Sequence, residues 1–170
     1  KLKALTEYGG LIIRLLDNFS YIKTNDIHNL TDLIEFVSND LGENQEEVNM
    51  LRTAFIQREE KGSTVLSKKG MILLHCRGDI QKELAVQIIQ LDSKMSIDNY
   101  DGDVPVDTIV VMVAPIKLNQ KMLEILSEIS RNIITEGFSE VIKGKNGVEI
   151  ESELNMILEK FYQNQMLNIE

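Results

Sequence analysis

The chain has 170 residues, 43 % hydrophobic and 26 % charged, which is enough for one domain with its own core. Its net charge is −9, and its lysines and arginines form no block. Such a field repels nucleic acid, so no direct nucleic-acid contact by this domain is expected.

The opening, KLKALTEYGGLIIRLLDNF, places apolar residues at Leu2, Leu5, Tyr8, Ile12, Leu15 and Phe19, the spacing of a helix. Gly9-Gly10 weakens it by about 1 kcal/mol per glycine. Residues 1–18 are therefore expected to form an entry or linker helix, with the main domain over 19–170. Because the first residue is Lys1, a piece of a longer protein is expected. A short strand is predicted over Phe19 to Ile22, then a helix from about His28 to Leu41, ended by Gly42. Asn44 and Glu47 have the form of a helix N-cap and its reciprocal acid. The helix they open runs to the charged end Gln57-Arg58-Glu59-Glu60-Lys61, and Gly62 stops it.

From there the period changes. Thr64 to Leu66 is a short strand, and Met71 to Cys76 is a nearly continuous apolar run, the pattern of a central strand buried on both faces. Leu84 to Leu91 is another strand. Ser96 to Pro105 reads as a polar loop, and Val106 to Ala114 as the strongest strand, ended by Pro115. A helix from about Asn119 to Glu136, a short helix or turn over Phe138 to Lys143, and a final helix from Val148 to about Gln163 complete the chain. Alternating strands and helices predict an α/β fold: a mixed, mostly buried sheet of about five strands with helices on both faces.

Other bulk features narrow the function. A single cysteine cannot form an internal disulfide, which suits a reducing cytoplasm. No apolar run approaches the roughly 20 residues of a membrane-spanning helix, so no membrane role is expected. Trp is absent and aromatics are 5 %, too few for a base- or sugar-stacking platform.

The candidate site is His75, at the end of the Met71–Cys76 run. Strand ends are where sites gather in open α/β sheets. Arg77 is close in sequence, and Arg58 ends a charged helix before the Gly62 turn. Arginine matches phosphate oxygens with a fork of donors, and neutral imidazole is a good nucleophile near pH 7. A histidine flanked by arginines therefore suits acceptance of a phosphoryl group. Ser63 and Thr64 after Gly62 have the hydroxyls to hydrogen-bond a phosphate, though a plain turn explains them equally well. Cys76 points to the opposite face from His75 and reads as a small buried apolar residue. His28 lies far off in sequence and no acidic cluster joins His75, so no metal site is expected. Asp101-Gly102-Asp103 lacks the later acidic ligand of a calcium loop. No cofactor is expected.

The stretch from Arg58-Glu59 through Ser63-Thr64 to Gly70-Met71-Ile72-Leu73-Leu74-His75 resembles the signature of the mannitol/fructose-type enzyme IIA domains of the bacterial sugar phosphotransferase system. Further on, APIKLNQKMLEILSEIS is similar to that family's strand-then-helix segment. The resemblance runs from about residue 19 to 163. It implies the enzyme IIA mannitol-type fold, His75 as the phosphorylated histidine, and Arg58 as the group that steadies the phosphate, helped by Ser63, Thr64 or their backbone N–H groups. Arg77 is a further binding candidate. The family's second, helper histidine falls on Met122, whose thioether cannot donate a hydrogen bond to a phosphoryl group.

The ending Leu73-Leu74-His75-Cys76-Arg77 resembles a variant found in enzyme IIA-like domains at the C-terminus of sugar-operon regulators, most closely the mannitol operon activators of Gram-positive bacteria. The resemblance implies a phosphoacceptor charged by the phosphocarrier protein HPr or another phosphotransferase component, with enzyme IIB-like regulator domains as neighbours. Two other readings stay open at this point: a sugar-transport enzyme IIA subunit, and an interaction domain whose histidine is never phosphorylated.

Overall fold

The computed structural model describes residues 7–8, 11–12, 16, 18–79, 84–99, 102–135 and 137–168. The chain divides into two compact units, one of Tyr21–Lys117 and one of Lys1–Ser20 with Leu118–Glu170.

The chain forms a five-stranded mixed sheet. Its strands are β3 (Asn18–Thr24), β4 (Val65–Leu66), β5 (Met71–Arg77), β6 (Ala85–Asn99) and β7 (Gly102–Ala114), in the order β3-β6-β7-β5-β4. β7 is the middle strand. It runs parallel to β5, with His75 opposite Met112, and antiparallel to β6. β4 pairs antiparallel with β5 at only two positions, Val65 with Ile72 and Leu66 with Met71. The last ladder-like bond on that side is from Leu73 N–H to the Thr64 carbonyl, 3.1 Å. Among the described residues no strand lies beside the His75 end of β5 on the β4 side, and a side chain from elsewhere can reach it there.

Residues of β5 alternate between two faces. Ile72, Leu74 and Cys76 join Ile109, Val111 and Val113 of β7 in one core. Two helices cover that face: α1 (Leu30–Leu41) with Leu33, Ile34 and Val37, and α2 (Gln45–Glu60) with Leu51 and Phe55. Burying each of these large side chains contributes about 1.5–3 kcal/mol. On the other face Met71, Val110 and Met112 are also buried, which explains the continuous apolar run in sequence. Asn29 caps α1 through Asp32 N–H at 2.8 Å, and Asn44 caps α2 through Glu47 N–H at 2.9 Å. Glu47 does not close the reciprocal bond expected of it. Its carboxylate accepts from Glu43 N–H at 2.8 Å, one residue earlier.

The segment expected to be a polar loop, Ser96 to Pro105, is instead the far end of a long hairpin of β6 and β7, with Ser96 opposite Pro105 and Asn99 opposite Gly102. The reason is a period of two. Met95, Ile97, Val104 and Val106 are buried while Ser96, Asp98, Asp103 and Pro105 are exposed. The register shifts between Gln90, opposite Thr108, and Met95, opposite Val106. Asp101 of the Asp-Gly-Asp stretch lies outside the described residues, and Gly102 and Asp103 open β7.

In the unit of Lys1–Ser20 with Leu118–Glu170, β1 (Glu7–Tyr8) pairs antiparallel with β2 (Leu11–Ile12). This overturns the helix expected at those residues. A pair of glycines in sequence costs a helix about 1 kcal/mol each, which disfavours the helix here. The remainder of the expected entry helix lies outside the described residues, apart from Leu16 and Asn18. The C-terminal part contains α3 (Gln120–Ile134), α4 (Phe138–Ile142) and α5 (Gly147–Leu167), whose buried residues include Ile125, Ile129, Ile142, Leu154 and Leu158. Asn146 and Glu149 form a complete capping box at the start of α5.

Candidate functional site

Arg58 lies in the last turn of α2, and His75 near the end of β5; both are half-buried. Arg58 Nε donates to His75 Nε2 at 3.1 Å. On the other side of the ring, Nδ1 lies 3.2 Å from the Leu73 carbonyl. A guanidinium only donates and a carbonyl only accepts. The ring must therefore carry its proton on Nδ1, donated to Leu73, and its lone pair on Nε2. The backbone of the same strand orients the imidazole, and the helix end faces the nitrogen that keeps its lone pair.

Arg58 is itself tethered. Its Nη1 donates to the Gly62 carbonyl at 3.2 Å. Gly62 has φ +149°, in the region that favours glycine, so this turn brings its carbonyl back beneath the helix end. Thr64 Oγ1 donates to Glu59 Oε1 at 2.6 Å. Ser63 is exposed and its Oγ accepts from Val65 N–H at 3.3 Å. Gly70, at φ +61°, ends the Ser67–Lys69 turn, and its carbonyl accepts from Asp107 N–H at 3.0 Å and Thr108 N–H at 3.3 Å, fixing the start of β5 against β7.

The structure thus joins His75 directly to Arg58 and places Ser63 and Thr64 on the turn that holds Arg58. It does not bring Arg77 into this network. Arg77 is exposed and makes no side-chain hydrogen bond or ion pair among the described residues. Cys76 is buried on the core face, and burial pushes its thiol up to about 12. His28 is exposed, with its backbone N–H on Asp32. Among the described residues no group of three or more His, Cys, Asp or Glu is placed to hold a metal ion. The Gly62 turn also walls a groove of about 390 Å³, lined by Leu30, Glu59, Glu60, Gly62, Ser63, Ile97, Asp98 and Asn99.

The model of the family described as "phosphoenolpyruvate-dependent sugar phosphotransferase system, EIIA 2" matches residues 16–159. The chain belongs to this EIIA family. Solved structures show the same fold. The nitrogen regulatory protein IIA-Ntr from Neisseria meningitidis is 21 % identical, with a TM-score of 0.64 over 82 % of this chain and 92 % of that one. A candidate PTS IIA (PtxA) from Streptococcus mutans is 14 % identical, with a TM-score of 0.56 over 81 % and 88 %. A candidate PTS IIA domain from Streptococcus pyogenes is 13 % identical, with a TM-score of 0.52 over 79 % and 87 %. No curated protein sequence matches the chain. Among the described residues of this EIIA domain, no helix is long and apolar enough to cross a membrane.

Three members of the network were not singled out as site residues from the sequence. Glu59 carries a signal, its place directly after Arg58. The Gly62 and Leu73 carbonyls carry none, because any residue supplies a carbonyl and only the fold aims it.

Proposed function

We propose that this EIIA domain is a regulatory phosphoacceptor in which His75 Nε2 takes a phosphoryl group from the phosphohistidine of HPr or another phosphotransferase protein. The observation that carries this reading is the bond from Arg58 Nε to His75 Nε2, because it puts the lone pair on a defined nitrogen with a cation already beside it. The donor's P–N bond breaks as the Nε2–P bond forms. A donor ring protonated on its other nitrogen leaves as neutral imidazole, and His75 becomes a ring with phosphoryl on Nε2 and a proton on Nδ1. The Leu73 carbonyl accepts that proton's hydrogen bond before and after transfer.

Arg58 must release the lone pair before attack. Its Gly62 tether keeps the guanidinium close, so its donors turn from Nε2 to the phosphoryl oxygens. Ser63 keeps its hydroxyl proton for such an oxygen, since its own oxygen is engaged by Val65 N–H. Arg77, exposed at the strand end, acts by attracting the anionic donor rather than by holding the product.

The regulatory role rests on the resemblance of the Leu73–Arg77 ending to mannitol operon activators and on Met122 at the helper-histidine position. Without that helper, acceptance is favoured over rapid onward transfer. The added group carries about two negative charges at pH 7. In a cytoplasmic regulator that charge changes docking on enzyme IIB-like neighbours and so biases transcription.

The test is incubation with phosphoenolpyruvate, enzyme I and HPr, read by intact mass, with His75→Ala as control. One acid-labile phosphoryl group per chain, absent in the variant, supports the reading. Rapid onward transfer to a IIB domain would instead mark a transport subunit. No uptake under conditions that charge a working enzyme IIA would leave an interaction domain.

A further inference from the structure

We propose that Glu59 is a positioning residue for the phosphoryl acceptor, acting through a latch with Thr64. The inference rests on the reading of His75 as the acceptor. Arg58 and Glu59 are neighbours at the end of α2, but they serve different partners. Arg58 reaches forward to His75 Nε2 at 3.1 Å and to the Gly62 carbonyl at 3.2 Å. Glu59 accepts the Thr64 hydroxyl at 2.6 Å, and its own carbonyl accepts Gly62 N–H at 3.1 Å. Thr64 in turn offers its carbonyl to Leu73 N–H at 3.1 Å, and the Leu73 carbonyl receives His75 Nδ1–H.

These bonds form a closed circuit from helix end to turn, to strand and to imidazole. Both sides of the ring depend on it. The Arg58 side depends on the position of the Gly62 carbonyl, and the Leu73 side on the Thr64 backbone. The Glu59–Thr64 bond crosses the turn that both sides share. It is a hydroxyl donating to a carboxylate, a charge-assisted bond stronger than a neutral one. It therefore holds a turn built on a glycine with φ +149° that has wide freedom of its own.

The same bond reassigns Thr64. Its single hydroxyl proton is committed to Glu59, so Thr64 does not donate that proton to a phosphoryl oxygen while the latch is closed. The short Arg-Glu and Ser-Thr pairs divide their labour. Arg58 and Ser63 face the phosphoryl group, while Glu59 and Thr64 hold the turn that presents them.

The experiment uses four single variants of the full chain, Thr64→Val, Thr64→Ser, Glu59→Ala and Glu59→Gln, and the double variant of Thr64→Val with Glu59→Ala. Each is read by the initial rate of phosphoryl uptake from phosphorylated HPr and by the ¹⁵N resonances of the His75 ring in the unphosphorylated protein. Thr64→Val and Glu59→Ala are expected to slow uptake about tenfold, the scale of a small misplacement of a reacting group, and to move the Nε2 resonance as its bond to Arg58 loosens. Thr64→Ser keeps both partners and should stay near wild type, and Glu59→Gln, which keeps an acceptor without the charge, should lose less than Glu59→Ala. Combining Thr64→Val with Glu59→Ala should cost no more than either alone, because both break one bond. Unchanged ring resonances and uptake in Thr64→Val and Glu59→Ala would overturn the latch, as would additive losses in the double variant. If the wild type takes up no phosphoryl group, the acceptor reading fails, while the ring resonances still decide whether the latch positions His75.

Discussion

Arg58 and His75 meet through one 3.1 Å hydrogen bond from Nε to Nε2, and the Gly62 carbonyl holds the same guanidinium at 3.2 Å. Two donors of one planar group are thus used at once, with geometry a lysine cannot reproduce. Arg58→Gln should lower the rate of phosphoryl uptake by about 100-fold, the scale of losing one preorganised donor at a developing charge. Arg58→Lys restores charge without the fork and should recover only part of it. Initial rates with phosphorylated HPr, compared with thermal melts of both variants, separate lost chemistry from lost folding.

Cys76 is expected to be chemically silent despite standing next to His75. The thiolate is the reactive form, and burial pushes this thiol from the usual 9.0 up to about 12. Iodoacetamide at pH 8 should leave the native chain unlabelled and label it fully in denaturant. The linked effect on stability has a definite sign. A thiol whose folded pKa is raised stabilises the fold below pH 9, and that contribution declines as pH rises from 9 towards 12. Denaturant midpoints across that range should fall. Cys76→Ala should keep wild-type phosphoryl uptake, because its side chain lies on the core face.

Gly42, which ends α1, is required for space rather than for backbone freedom. Its φ is −75°, ordinary for any residue, but an added Cβ would lie 2.6 Å from Val48 Cγ2 and 2.9 Å from the Ser38 carbonyl. Gly42→Ala should therefore cost about 1–3 kcal/mol by overpacking the α1–α2 turn. Urea unfolding measures this, and uptake per folded molecule should be unchanged.

Much of this architecture was legible in the sequence because the signals were local. Asn44 caps its helix as its place in the sequence implied, with its side chain on the Glu47 N–H. The run from Met71 is a strand buried on both faces. The hairpin tip misled because Asp98, Asp103 and Pro105 are turn-favouring residues by composition, while the alternation of Ile97, Val104 and Val106 recorded a strand. At the start of the chain, six apolar residues stand at helical spacing, yet Glu7–Tyr8 and Leu11–Ile12 pair as strands. At the site, the proximity of Arg58 and His75 was anticipated through the family resemblance. The ring tautomer was not, because it depends on two backbone carbonyls and on the fold that aims them.

The measurement that tests the central claim most directly is long-range ¹H–¹⁵N and ³¹P NMR on the phosphorylated, ¹⁵N-labelled chain. The account predicts a phosphoryl group bonded to His75 Nε2, with Nδ1 still protonated and hydrogen-bonded to Leu73. A phosphoryl group on Nδ1, or on any other residue, would contradict it.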